Sequence, residues 1–306
     1  MSFELSTRVG GLELSSPVVV ASGVLPHDPR IWGSPYLDGV GGICTKGITL
    51  LPRGGNRGTR MWETPCGVLN SIGLENPGLE AFLEGDLPRL LEVKGGRRLI
   101  LNLAAESEGE LEELLGRLSI SRGVDALELN LSCPNVDGGG MLLGSSPEAT
   151  GRMVALARSM WGGPLWVKLT PQAPDVGAVA LSAQGAGADA VVASNTWLGA
   201  AVDVKGRRMV FERKVAGLSG PAVLPLTVRV VYQLCGLLEI PVIACGGIAR
   251  AEDAISCLMA GARAVEVGSA LLRDLRAASR ISEGIKAFLE EEGFSSVEEL
   301  VGLARR

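Results

Sequence analysis

Pro241-Val242-Ile243-Ala244-Cys245-Gly246-Gly247 leads through the helix-period stretch Glu252–Met259 into Ala264-Val265-Glu266-Val267-Gly268-Ser269. Each end of this segment is a short apolar run halted by glycine, and its middle has a helical period. The whole therefore reads as one strand–helix–strand unit with parallel strands. Working outward, the same alternation fills most of the chain. Strand-like runs occur at Pro17–Ala21, Gly41–Thr45, Arg98–Leu103, Ala126–Leu131, Leu165–Leu169, Ala190–Ser194, Pro241–Ala244 and Ala264–Val267. Helical patterns fall between them at Gly78–Val93, Ser107–Ser119, Pro147–Met160, Pro174–Gln184, Pro225–Leu238 and Glu252–Met259. Eight βα units predict a (β/α)8 TIM barrel. Phe3–Val9 and Leu12–Leu14 flank Gly10-Gly11 and read as a hairpin that plugs the closed end of the barrel.

No composition break divides the 306 residues, so residues 1–306 are read as a single domain. The second βα connection, Gly47–Asn76, is too long for an idle loop and is expected to fold over the barrel mouth and line a site. Glycine, at 42 residues, is about twice its usual share of ~7%, which implies tight turns or close backbone–ligand approach. A net charge of −5 and a pI near 5.2 give no footprint for nucleic acid or an anionic membrane. Met1–Gly10 holds no apolar stretch of signal-peptide length, and no segment reaches the ~18 apolar residues of a membrane span. A cytoplasmic protein is expected. The six cysteines include no C-x-x-C pair and His27 is the sole histidine, so no metal site is expected.

Active sites of such barrels form where the strands end. The runs end in Ser22-Gly23, Lys46-Gly47, Asn102, Asn130 with Cys133, Lys168, Asn195-Thr196, Gly246-Gly247 and Gly268-Ser269. Wet loops explain any one of these, but explain two lysines, three asparagines and two glycine-rich ends poorly. The glycines after the seventh and eighth runs let backbone N–H groups approach a phosphate, which this fold binds there. Gly185-Ala186-Gly187-Ala188 imitates a dinucleotide fingerprint, but it precedes a strand and is rejected. Lys168 fits two chemistries, a Schiff base of aldolase type or stabilisation of negative charge on a reduced flavin. Its structural reading is a lysine merely salt-bridged inside the barrel. Cys133 opens a segment that runs into Gly138-Gly139-Gly140 and reads as a hinged lid carrying a thiol. With one histidine in the chain, base chemistry on a weakly acidic C–H fits Cys133 better than activation as a nucleophile.

Ala21-Ser22-Gly23, Thr45-Lys46-Gly47, Leu69–Leu74, Asn76-Pro77-Gly78, Asn130–Val136, Val167-Lys168-Leu169, Ser194-Asn195-Thr196, Gly217–Gly220 and Gly246-Gly247 together resemble class 1 dihydroorotate dehydrogenases, specifically the NAD-linked (1B) catalytic subunit. The resemblance implies oxidation of dihydroorotate to orotate in de novo pyrimidine biosynthesis. Its implied cofactor is FMN, contacted by Ser22, Lys46, Gly47, Asn102, Asn130, Lys168, Ser194, Gly220, Gly246, Gly247, Gly268 and Ser269. Implied substrate contacts are Lys46, Asn70, Ser71, Ile72, Gly73, Leu74, Asn130, Asn195 and Thr196, with Asn135 a further candidate. Cys133 would take the C5 proton while the C6 hydride passes to the flavin. The resemblance also implies a partner subunit bearing FAD and a [2Fe–2S] cluster, which carries electrons to NAD+, and a homodimer at the core of a heterotetramer. Alternatives are the fumarate-dependent class 1A enzyme, an aldolase using Lys168, a flavin-dependent tRNA dihydrouridine synthase, which would need a more basic surface, and a non-catalytic ligand-binding protein.

Overall fold

Val18-Val19-Val20 begins the barrel because β-branched side chains suit a pleated strand packed on both faces. The computed structural model describes residues 4–118, 123–131 and 143–306. Its barrel strands are β1 (Val18–Val20), β2 (Gly42–Cys44), β3 (Arg98–Leu103), β4 (Ala126–Asn130), β5 (Leu165–Lys168), β6 (Ala190–Ala193), β7 (Val242–Cys245) and β8 (Ala264–Val267). Each pairs in parallel with its neighbour, and β8 returns to β1, so the sheet closes without an edge. The strands expected from the sequence are all present.

Side chains alternate across each strand, so every second residue enters the barrel. The lower interior is apolar, with Val19, Ile100, Ala126, Trp166, Ala190, Val192, Ile243 and Ala264 in one buried cluster. The hairpin Thr7–Val9/Leu12–Leu14 closes this end by adding Val9, Leu12 and Leu14 to the same cluster. Its turn is made by Gly10 and Gly11 at φ of 52° and 83°, and a Cβ on Gly10 would lie 2.7 Å from the Asp189 carbonyl oxygen.

Helices cover the outside where their apolar stripes match the barrel. Glu108–Leu118, for example, buries Leu111, Leu114, Leu115 and Leu118 at helical spacing. Two features depart from the sequence reading. The helix expected over Gly78–Val93 contains a π-helical turn at Phe82–Asp86, between α-helical Leu79–Ala81 and Leu87–Val93. A further helix, Ala277–Glu292, follows β8 and buries Ala278, Ile281, Ile285 and Leu289 before left-handed Gly293 ends it. Among the described residues no helix is long and apolar enough to cross a membrane.

The long connection after β2 does fold over the mouth. Its strands Met61–Thr64 and Gly67–Asn70 pair with each other, and Gly67–Asn70 also pairs with Ala216–Ser219 from the β6–β7 connection. Trp197–Gly199 completes a four-stranded antiparallel roof.

Candidate active site

Beneath the roof, the carboxyl ends of the barrel strands enclose a cavity of about 270 Å³. Ser22, Lys46, Gly47, Asn70, Ile72, Leu74, Asn102, Asn130, Lys168, Ser194, Asn195, Thr196, Gly246, Gly247, Gly268 and Ser269 all line it. The strand-end rule therefore gathers residues up to 247 positions apart in sequence. Gly220 lines an adjoining groove, which shares Gly247 and Ser269 with the cavity. Ser71 and Gly73 do not line the cavity. The Ser71 hydroxyl accepts a hydrogen bond from Asn56 Nδ2 at 2.9 Å, and Gly73, at φ of 76°, shapes the turn before Leu74. Cys133 and Asn135 lie outside the described residues.

Lys168 is 3% exposed and enters the barrel between two fully buried carboxyl groups. Its Nζ is 2.6 Å from Glu266 Oε2 and 3.4 Å from Glu128 Oε1, with Ser22 Oγ also at 3.4 Å. Burial works against the ammonium, but the surrounding anionic groups outweigh it and raise its pKa well above the ordinary lysine value. Cys44 and Cys245 flank the cluster, and burial pushes both thiols up, so the carboxylates are its working counter-charges. A Schiff base needs a neutral amine, and this lysine is held as its ammonium. The aldolase reading fails on that point. Cys44, Glu128 and Glu266 also have ligand-like spacing, within 4.8 Å of one another, but the cation placed among them is the Lys168 ammonium.

At the upper rim the asparagines are fixed by one another and by the roof. Asn195 Nδ2 donates to Asn130 Oδ1 at 3.2 Å, and Asn195 Oδ1 accepts from the Thr196 backbone at 2.7 Å. Asn70 Nδ2 donates to the Gly217 carbonyl at 3.2 Å, joining the rim to the roof. Lys46 is positioned from behind: its backbone N–H donates to His27 Nε2 at 3.2 Å, and His27 Nδ1 lies 3.0 Å from Asp86 Oδ2. This pattern requires the neutral Nδ1–H tautomer. Burial lowers the histidine pKa, with Asp86 opposing the shift. Asp86 is the last residue of the π-helical turn, so that irregular turn supplies the partner of the histidine.

Several features fit a flat, hydrogen-bonding cofactor with a phosphate. Asn102 Oδ1 faces the cavity, buried and without a hydrogen-bond partner among the described residues, so a ligand N–H would satisfy it. A Cβ on Gly47 would approach that oxygen to 2.9 Å, and so glycine keeps the space open. Gly246 and Gly247 have φ of 127° and 80°, and a Cβ on Gly247 would fall 2.4 Å from the Leu224 backbone nitrogen. Gly246, Gly247 and Gly268 line the cavity without a Cβ, so no side chain keeps a phosphate from the backbone N–H groups at the end of β7 and at the Gly268-Ser269 turn.

Glu128, Glu266, His27 and Asp86 were not singled out from the sequence. The two glutamates did leave a signal. Each is the one charged residue in an apolar barrel strand, two positions before a cavity-lining residue and therefore on the same inward face. His27 and Asp86 left none, because their partnership depends on a helix irregularity 59 residues away.

Comparison with known proteins agrees with this geometry. A family model described as dihydroorotate dehydrogenase matches residues 4–289. A relative from Desulforudis audaxviator, named dihydroorotate dehydrogenase B (NAD(+)), catalytic subunit, is 41% identical over 100% of this chain and 99% of its own. A protein of the same name from Thermococcus kodakarensis is 40% identical, covering 98% of both chains. Among solved structures, a DHODH from Eimeria tenella in complex with ferulenol matches with a TM-score of 0.80 at 23% identity, covering 99% of this chain and 89% of that one, a likeness of fold.

Proposed function

Because the chain belongs to the dihydroorotate dehydrogenase family, we propose that it oxidises dihydroorotate to orotate in pyrimidine biosynthesis, as the catalytic subunit of an NAD+-linked enzyme. The observation that carries this reading is one cavity in which a buried ammonium, a set of amide side chains and glycine-flanked backbone N–H groups converge. The names of full-length relatives at about 40% identity favour the NAD+-linked branch over the fumarate-dependent one.

The amide-rich rim suits the substrate. Asn70, Asn130, Asn195 and Thr196 each present a donor and an acceptor to a ring with alternating carbonyl and N–H groups. Lys46 supplies positive charge for the carboxylate, and Ile72 and Leu74 form an apolar wall held in place by Ser71 and Gly73. Cys133 is the base that takes the C5 proton, a role supported by its position three residues beyond cavity-lining Asn130. Asn135 is a further contact from the same segment.

FMN is the cofactor whose demands these residues meet, and it supplies the hydride acceptor of the reaction. Ser22, Lys46, Gly47, Asn102, Asn130, Lys168 and Ser194 would hold its ring, and Gly220, Gly246, Gly247, Gly268 and Ser269 its phosphate end. Lys168 keeps a positive charge at the cavity floor, where it favours negative charge on the bound group. Electrons reach NAD+ through a separate subunit bearing FAD and a [2Fe–2S] cluster. This is supported by the "catalytic subunit" name of the relatives and by the lack of a dinucleotide fingerprint in this sequence. The assembly is a heterotetramer around a homodimer, working in the cytoplasm.

One spectrum tests the reading. Pure protein should show oxidised flavin bands that bleach when dihydroorotate is added anaerobically. Colourless protein that takes up no FMN, or bands that persist with dihydroorotate, would sink it.

A further inference from the structure

At the floor of the cavity the barrel interior holds the Lys168 ammonium beside the carboxyl groups of Glu128 and Glu266. Glu128 and Glu266 are both 0% exposed. Fully ionised, the trio would carry a net negative charge in a low-dielectric interior, which is strongly unfavourable; one bound proton brings it to neutrality. The geometry agrees. Glu128 Oε2 and Glu266 Oε1 each lack a hydrogen-bond partner among the described residues, and a carboxyl oxygen of one residue lies within 4.8 Å of a carboxyl oxygen of the other. Two carboxylates are acceptors only and repel each other at this separation, and a proton on one of them relieves the repulsion and supplies a donor.

We propose that Glu128 and Glu266 share a single proton and act together as positioning residues for Lys168, so that its ammonium meets the cavity with one counter-charge and can receive a second from a bound group. The groups facing this pair support one shared proton. From β2, Cys44 Sγ lies 3.4 Å from Glu128 Oε1 and remains a thiol, as does Cys245 on β7. From β3, Asn102 Nδ2 donates to Glu128. From β5, Lys168 lies nearer to Glu266, at 2.6 Å, than to Glu128, at 3.4 Å. Counting donors puts the negative charge on Glu128, whereas the shorter lysine contact puts it on Glu266. Neither carboxyl owns the charge outright, and the proton belongs to the pair. Burial first, and then the Glu128 charge, push Glu266 up to about 8. Above that pH the cluster would gain a negative charge beneath the cavity.

The first test uses the full chain without flavin and so does not rest on the FMN reading. At neutral pH its infrared spectrum should contain the carbonyl stretch of one buried, protonated carboxyl group. E128Q and E266Q should each lose the band, because the remaining glutamate ionises against Lys168. Absence of the band in wild-type protein, or its persistence in either variant, would overturn the proposal. If either variant does not fold, Lys168→Met serves instead: without the ammonium both carboxyls become neutral and the band should grow, and an unchanged band would count against the proposal. The second test does rest on the FMN reading. The reduction potential of bound flavin should fall with an added slope above about pH 8, and E266Q should lose that added slope. Superimposable profiles would overturn the charge-balancing role even where the infrared result stands.

Discussion

Lys46 owes its position to a neutral histidine, and His27 is the only histidine in the chain, so its state can be read without ambiguity. One imidazole signal is expected in a nitrogen-15 spectrum. At neutral pH it should report the Nδ1–H tautomer, and its midpoint should lie below the ordinary value of about 6.5. The folded protein then binds this proton less readily than the unfolded chain. Stability present above the unfolded pKa is therefore lost as pH falls from about 6.5 toward the folded pKa, at no more than about 1.4 kcal/mol per pH unit. His27→Phe keeps a ring against Phe82, whose centroid lies 5.1 Å away, but removes both polar partners. Asp86 retains Arg89 at 2.7 Å, so the main loss is the acceptor for the Lys46 N–H, about 1–3 kcal/mol for a buried group and near the lower end at this half-buried site. The stability gap between wild type and His27→Phe should narrow as pH falls below about 6.5. If Lys46 binds the substrate carboxylate, KM should rise about tenfold for a loss of ~1.4 kcal/mol, with kcat changing less. A midpoint at or above 6.5, an Nε2–H tautomer, or parallel stability curves would refute the argument.

Replacing Cys133 with serine should slow flavin reduction by about 10²–10⁴ near neutral pH, with partial recovery at high pH, and unchanged stopped-flow traces would remove Cys133 from the mechanism. Gly247→Ala would place a Cβ 2.4 Å from the Leu224 nitrogen at φ of 80°; the barrel should survive by circular dichroism while the flavin-to-protein ratio drops, and a full complement of flavin would refute the phosphate assignment. The isolated chain should reduce artificial dyes with dihydroorotate but produce little NADH until the partner subunit is added. Rapid turnover with fumarate would instead place it in the other branch.

The barrel was legible because parallel strands buried on both faces, such as Val18–Val20 and Ala190–Ala193, are continuous apolar runs bounded by glycine or polar residues. The cavity follows from the rule that such strands end at the site, which is why Lys46, Asn102, Asn130 and Lys168 stand out from the sequence alone. The roof was half legible. The length of the second loop announced a covering segment, but Trp197–Gly199 and Ala216–Ser219 are short and glycine-containing, and the second of them pairs with Gly67–Asn70, far away in sequence. Helix Ala277–Glu292 escaped because the residue at its N-cap, Arg276, makes no side-chain cap and its first turns mix alanine with serine and arginine. The charge cluster under Lys168 escaped for another reason. A strand pattern shows that Glu128 and Glu266 point inward, but only barrel closure decides that they meet the same lysine.

The roof also constrains the order in which the molecule is assembled. Asn70 and Gly217, which meet in it, are separated by 147 positions, whereas most barrel strands pair with the next one along the chain. Closing so long a loop has an entropic cost that no contact offsets until both ends are in place, so such pairings form late. During synthesis the first four or five strands can begin to associate while Gly67–Asn70 still lacks its central partner. The floor of the site is thus laid down strand by strand, but its ceiling waits for the β6–β7 connection to leave the ribosome. Until then Gly67–Asn70 is paired with Met61–Thr64 on one edge and leaves its other edge open. Chains stalled at this stage should be the ones most dependent on chaperones.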